Sequence, residues 1–247
     1  MALLIDIGNS TTKLVRPRGR FFRRLASFPT PHIHQHRDEI LGCLLRNEGT
    51  IAISSVVPAA LRVLEEVLRG TGRAEVCVAG RDLPIPITAD VEERASVGTD
   101  RLLESLGAWR LAGRTLIVVD FGSAITFNCV NARGAFLGGL IFPGHRLCAE
   151  ALAGSTAVLP DVEISATLMV VGRNTREAIK TGVFRGIVGA VSGILEELSA
   201  AMAEAPEVFA TGGAAAAFAP HVARIRTVDE FLLFRGLQAS LESRDRQ

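Results

Sequence analysis

An α/β chain built as two related domains is what this sequence predicts, and three observations carry the prediction. A short phrase occurs twice, LLIDIGNSTTK around Asp6 and LIVVDFGSAITF around Asp120, separated by about one small-domain length. Around both copies, runs of β-branched and aliphatic residues with strand character are interleaved with segments of helical periodicity. With 247 residues, 48% hydrophobic and 21% charged, the chain has the composition of an ordinary folded protein and enough length for two small cores.

Taken in order, Ala2 to Ile7 is a near-continuous apolar run, as expected of a strand buried on both faces, and Gly8 to Thr12 reads as the turn after it. Leu14 to Val15 and Phe21 to Phe28 return as antiparallel strands. Asp38 to Asn47 places Ile40, Leu41, Leu44 and Leu45 at helical spacing. A strand at Thr50 to Ser54, a helix near Pro58 to Arg69 and a strand at Ala74 to Val78 follow. Pro84 and Pro86 oppose a helix in Gly80 to Val97, which reads as connecting structure. Asp100 to Leu111 is a helix with Leu102, Leu103, Leu106 and Trp109 on its inner side, and the domain boundary falls near Gly113.

The second half restarts the pattern with strands at Thr115 to Asp120, Thr126 to Val130 and Ala135 to Ile141. Helices are predicted at His145 to Leu152 and Arg176 to Ala203. The latter contains Gly182, Gly186, Gly189 and Gly193, each costing about 1 kcal/mol against Ala when exposed, so either close helix packing or helix breaks must account for them. Val208 to Ala210 is a last strand running into Thr211-Gly212-Gly213, and Phe231 to Leu241 a closing helix.

The balance of 27 Lys+Arg against 26 Asp+Glu gives no electrostatic reason to expect nucleic acid or an anionic membrane as partner. Arg16 to Arg24 (RPRGRFFRR) reads as a solvated turn, with a basic arm for an acidic partner as the alternative. Cys43, Cys77, Cys129 and Cys148 are scattered without a C-x-x-C pair, which fits reduced thiols and no zinc knuckle. No leader pattern opens the chain and no apolar run reaches bilayer length, so the expectation is a cytoplasmic protein with no membrane partner. His32, His34 and His36 alternate as a metal site would, but Pro29 and Pro31 make a loop the expected reading.

Chemistry concentrates at the repeated phrase. A buried strand ending in Asp-X-Gly beside hydroxyl residues offers a carboxylate, a backbone that phosphate can approach, and hydroxyl and N–H donors; the natural occupant is a nucleoside triphosphate with its metal ion. Asp6-Ile7-Gly8 gains specificity from Asn9-Ser10-Thr11-Thr12-Lys13, from the second copy at Asp120, and from Thr211-Gly212-Gly213. Three glycine-bearing strand ends in that order resemble the actin-like and sugar-kinase superfamily. The resemblance implies two actin-like (RNase H-like) domains, residues 1–113 and 114–247, with a nucleotide cleft between them.

Further motifs narrow the resemblance: IAISSVVP at Ile51 to Pro58, VGTDR at Val97 to Arg101, GGLIFPG at Gly138 to Gly144, AVLP at Ala157 to Pro160, GRNT at Gly172 to Thr175 and LLFRGL at Leu232 to Leu237. Together they make the chain similar to type III pantothenate kinases, nearly end to end. The resemblance implies ATP-dependent phosphorylation of pantothenate, the first step toward coenzyme A. It implies a pantothenate site at Gly98, Thr99, Asp100 and Arg101, with Thr175 reaching the substrate from a neighbouring subunit of a homodimer. ATP would be held by Asp6, Ile7, Gly8, Asn9, Ser10, Thr11, Thr12, Lys13 and Ser123, with Mg2+ on the nucleotide. Asp120 would bind a monovalent cation, potassium or ammonium.

The residues agree with these roles. Phosphorylating a primary alcohol calls for a carboxylate that orients the hydroxyl and takes its proton, which Asp100 supplies, and Arg101 offers a planar donor fork for a carboxylate or amide. The structural alternatives are a helix-capping Asp with an exposed Arg, and a solvent-facing strand lysine at Lys13. His145, after GGLIFPG, reads as packing. The sequence departs from the family pattern at Ser10 and Ser123, where Thr is usual, at Asn128, where Asp is usual, and at Val91-Glu92-Glu93-Arg94, where a Tyr and an Asn-Pro are often found. Two alternatives therefore stand beside the kinase: a catalytically weak accessory protein like the Bvg accessory factor relatives, and an actin-fold kinase for another small alcohol.

Overall fold

The leading strand β1 (Leu3–Ile7) is buried at every position, as its unbroken apolar run requires, and occupies the centre of a five-stranded sheet. This computed structural model describes residues 2–46, 49–69 and 75–246; the predicted helix end at Asn47 and strand start at Ala74 lie outside them. β1 pairs antiparallel with β2 (Thr11–Arg18), which pairs antiparallel with β3 (Phe21–Pro29). On its other side β1 pairs parallel with β4 (Ile51–Ser55), and β4 with β5 (Val76–Val78). Pairing resumes already at Thr11, so the turn after β1 is Gly8 to Ser10, shorter than predicted. The side chains of Leu3, Ile5 and Ile7 pack against Ile40 and Leu44 of α1 (Arg37–Leu45) and Leu64 of α2 (Pro58–Arg69).

α3 (Thr99–Ala112) and α7 (Leu232–Arg244) belong to the same unit, which comprises Met1–Leu111 and Phe231–Gln247. The sequence expectation of a second domain over residues 114–247 puts the closing helix in that domain instead. Close packing explains its place in the first: a Cβ on Gly107 would strike the Leu232 backbone, and one on Gly236 would strike that of Leu103. Leu232, Phe234 and Leu237 are fully buried, and Phe231 stacks on Phe22 at 5.5 Å. Each such burial is worth about 1.5–3 kcal/mol.

The second unit, Ala112–Glu230, repeats the plan. β6 (Leu116–Phe121) is its central strand, antiparallel to β7 (Ala124–Val130), which is antiparallel to β8 (Phe136–Pro143). β6 runs parallel to β9 (Glu207–Thr211), and β9 to β10 (Thr227–Val228). Strand for strand this is the first sheet again. α4 (His145–Gly154), α5 (Thr175–Ala201) and the short α6 (Ala215–Phe218) supply its helices. α5 is one unbroken helix, so its glycines are not breaks. Ile179, Phe184, Ile187, Val191 and Leu195 form its buried face. Contrary to the sequence expectation, α5 is long and apolar enough to cross a membrane by length and composition, although this one face packs into the core of the unit. His145 lies 5.6 Å from Phe218 within an aromatic cluster that includes Phe121 and Phe184, as its packing role predicts.

Candidate active site

Strand register builds the first part of the site. On adjacent strands, Lys13 of β2, Asp6 of β1 and Ser54 of β4 are Cα partners, so the three residues form one row across the sheet and point to the same face. Asp6 is 9% exposed and Ser54 fully buried. Beyond Asp6 the Gly8 N–H donates to the Thr11 carbonyl at 3.2 Å, which closes the turn and leaves Asn9 and Ser10 exposed. Ile7 and Thr12 belong elsewhere. The Ile7 side chain is core against α1 and α2, and the Thr12 hydroxyl lies 2.9 Å from that of Thr30 in a buried pair. Only the main chain of these two residues is left to meet a ligand.

At the start of α3, Gly98, Thr99, Asp100 and Arg101 make one contiguous corner. The Asp100 carboxylate folds back over Gly98, where any Cβ would strike its Oδ1, and accepts the Arg101 N–H at 2.8 Å. Asp100 therefore lies in the first helical turn rather than capping it from outside. Burial pushes its pKa above the ordinary carboxylate value; the Arg101 N–H and guanidinium oppose that shift without cancelling it. The hydroxyl of Thr99 is buried without a partner among the described residues. The preceding loop is pinned by Arg94, whose guanidinium donates to the carbonyls of Ile87 and Ile85. Arg94 stands in the stretch that departs from the family pattern, and its structural role was not legible in the sequence.

In the second unit the same row reads Thr126, Asp120, Thr211, on β7, β6 and β9. Its carboxylate is caged by glycines. A Cβ at Gly122 would come 3.0 Å from Asp120 Oδ2, and one at Gly212, whose φ is +96°, would strike Oδ1 and the Phe121 backbone. Ser123 is exposed in the adjoining turn, and its carbonyl leaves no room for a side chain on Gly144. Asn128 is fully buried on β7, its Nδ2 donating to the Thr126 hydroxyl at 3.3 Å; an aspartate there would bury a charge.

Thr175 is the first residue of α5 and is exposed. Two neighbours in its motif are structural: the Asn174 side chain caps the helix by accepting the Glu177 N–H at 3.0 Å, and a Cβ on Gly172 would strike the Ala178 backbone. Thr175 stands on the rim of an apolar groove of about 510 Å³ lined by Phe142, Leu152, Leu159, Gly182 and Gly186. The His32, His34 and His36 alternation forms a 3-10 turn in which His36 pairs with Glu39 at 3.0 Å. Among the described residues no three His, Cys, Asp or Glu side chains gather as a metal group.

The sheet order and the doubled Asp-X-Gly turn define an actin-like fold. A Baf family protein of Campylobacter jejuni superposes with a TM-score of 0.60 at 20% identity, covering 99% of this chain and 100% of that one. A 2-dehydro-3-deoxygalactonokinase protein of Sinorhizobium meliloti does so at 0.58 and 14%, covering 98% and 96%. The family model of type III pantothenate kinase matches residues 2–197. A type III pantothenate kinase of Anaeromyxobacter sp. (strain K) is 37% identical, covering 96% of this chain and 97% of that protein. The chain belongs to the type III pantothenate kinase family.

Proposed function

We infer that the protein transfers the γ-phosphoryl group of ATP to the primary hydroxyl of pantothenate, giving 4′-phosphopantothenate and ADP, the first step of coenzyme A biosynthesis. The observation that carries the reading is the Asp100 corner: a half-buried carboxylate of raised pKa at the start of α3, inside the Gly-Thr-Asp-Arg motif of a chain that belongs to this family. Asp100 orients the hydroxyl and takes its proton as the oxygen attacks the γ-phosphorus, while the O–P bond to ADP breaks. Arg101 and the Thr99 hydroxyl hold the substrate's polar groups, and the main chain at Gly98 allows close approach. Family membership favours this over the accessory-protein alternative.

The Asp6 to Lys13 turn and Ser123 are assigned to ATP. Lys13, beside Asp6, supplies the positive charge among these motifs. The donor set fits a divalent ion held by one carboxylate with water and phosphate oxygens, and Mg2+ so bound offsets phosphate charge. Asp120, enclosed by Gly122 and Gly212, fits a monovalent cation bound by a single carboxylate and nearby main-chain oxygen, and potassium or ammonium is assigned there. The exposed stripe of Gly182, Gly186, Gly189 and Gly193 has open space at every Cβ position, and with the groove beside Thr175 it supports a homodimer that brings Thr175 to a neighbouring site. The four free cysteines agree with a cytoplasmic setting. ADP release measured with pantothenate against a panel of small alcohols, with and without potassium, tests the assignment; release that is equal across the panel would refute it.

A further inference from the structure

The corner that carries Asp100 is the landing point of a long excursion from β5, and one side chain closes that excursion. From Leu83 to Ile87 alternate side chains are anchored, with Leu83, Ile85 and Ile87 buried and Pro84 and Pro86 exposed. Thr88 to Glu93 then leave the core, none of them buried. Arg94 ties the chain back. Its Nη1 donates to the Ile87 carbonyl and its Nη2 to the Ile85 carbonyl at 3.1 Å, so one planar fork grips the segment from which the loop departed. Arg94 is itself exposed, so packing does not hold the side chain in place; the two carbonyls do. A single 3-10 turn, Arg94–Ser96, follows, in which the Val97 N–H donates to the Arg94 carbonyl at 3.2 Å, and Gly98 comes next. The ends of the excursion meet as well: a Cβ on Gly80, whose φ is +82°, would lie 2.9 Å from Thr99 Cγ2. A loop with closed ends of this kind is a common carrier of function.

We propose that Arg94 is a positioning residue for the alcohol substrate: by closing the neck of the loop on Ile85 and Ile87 it fixes the run into Gly98, Thr99 and Asp100. This rests on the pantothenate assignment above. The Asp100 carboxylate lies directly over Gly98, so a shift of that backbone moves the group that meets the hydroxyl. A displacement of about 1 Å at such a site is enough to be read in kinetics. The nucleotide turn belongs to β1 and β2, outside the loop, so the effect is confined to one of the two substrates.

Steady-state kinetics on the full chain compares wild type, Arg94→Lys and Arg94→Ala, with pantothenate and ATP varied in turn and thermal unfolding alongside. Lysine keeps the positive charge and loses the planar fork, so a clamp predicts that it behaves as alanine does. The expected result is that both variants raise KM for pantothenate about tenfold, leave KM for ATP within about twofold, and unfold near the wild-type temperature. Millimolar ethylguanidinium should restore most of the lost affinity in Arg94→Ala by refilling the place of the fork. An unchanged KM for pantothenate in Arg94→Ala overturns the proposal. So does a wild-type KM in Arg94→Lys, which would make Arg94 a charge and not a clamp, and so does an equal rise for both substrates, which would mark a general loss of structure. A wild type that phosphorylates another alcohol and not pantothenate overturns the pantothenate reading alone, and KM for that alcohol then reads the clamp.

Discussion

The two units share one sheet plan and one row, yet they treat the central carboxylate differently. In the first, Asp6 stands between Lys13 and Ser54, and the nearest atom to a Cβ on Gly8 would be the Thr11 carbonyl at 3.4 Å, an ordinary contact. In the second, Asp120 stands between two threonines and is boxed in by Gly122 and Gly212. A lysine ammonium in register with a buried carboxylate brings positive charge to the first row. The second row has no basic residue, and glycines close on its carboxylate instead. The duplicated motif has therefore kept its geometry and divided its electrostatics.

The comparison is sharpened first at Asp100, which lies outside both rows. Asp100→Asn should lower kcat by about 10²–10⁴ with folding intact, and steady-state kinetics checks this. Because burial raises the folded pKa above the unfolded value, the favourable contribution of Asp100 is present in full below the unfolded pKa and is lost as pH rises through the folded one. The stability of Asp100→Asn relative to wild type should accordingly improve as pH rises through that window, as denaturant melts at several pH values will show. In the same window wild-type kcat should fall as pH decreases and the base becomes protonated.

The division between the units predicts the next effect. Turnover in sodium or Tris buffer should be about 10²-fold below that in potassium or ammonium. Asp120→Ala should erase this cation preference, while Asp6→Asn should remain poor in every buffer; rates across a chloride-salt series decide it. A cation preference that survives Asp120→Ala would break the comparison.

Smaller effects test the glycines. Gly212→Ala should destabilise the protein by about 1–3 kcal/mol, since its Cβ meets both the Asp120 carboxylate and the Phe121 backbone. Gly8→Ala should stay within about 1 kcal/mol of wild type in urea unfolding. Gly186→Leu has open space within its own chain, so it should leave the single chain folded and weaken only self-association and turnover, by an overpacking of roughly 1–3 kcal/mol seen in sedimentation and ADP release. A variant that dissociates yet phosphorylates pantothenate normally would refute the shared site.

Much of this was legible in local sequence. The apolar runs ending in Asp6 and Asp120 fixed both central strands, and the spacing of α3 and α5 is plain from their leucines, isoleucines and valines. What escaped is long-range. Ser54 sits in a quoted motif, but its place beside Asp6 depends on the register of β4, which no local pattern encodes. The need for Gly212 comes from the approach of a strand end to a turn far away in sequence. The closing helix joins the first unit through Gly107 and Gly236, two backbone contacts whose partners are distant in the chain. Ile7 and Thr12 fall inside the phosphate phrase, yet strand alternation turns their side chains into the core.

The most direct measurement is product identification: purified protein incubated with Mg-ATP and pantothenate in potassium buffer, with 4′-phosphopantothenate and ADP quantified by mass spectrometry beside an Asp100→Asn control. The account predicts equimolar 4′-phosphopantothenate and ADP from wild type, with the variant lower by about 10²–10⁴. ADP without phosphopantothenate, or equal product from both proteins, would contradict it.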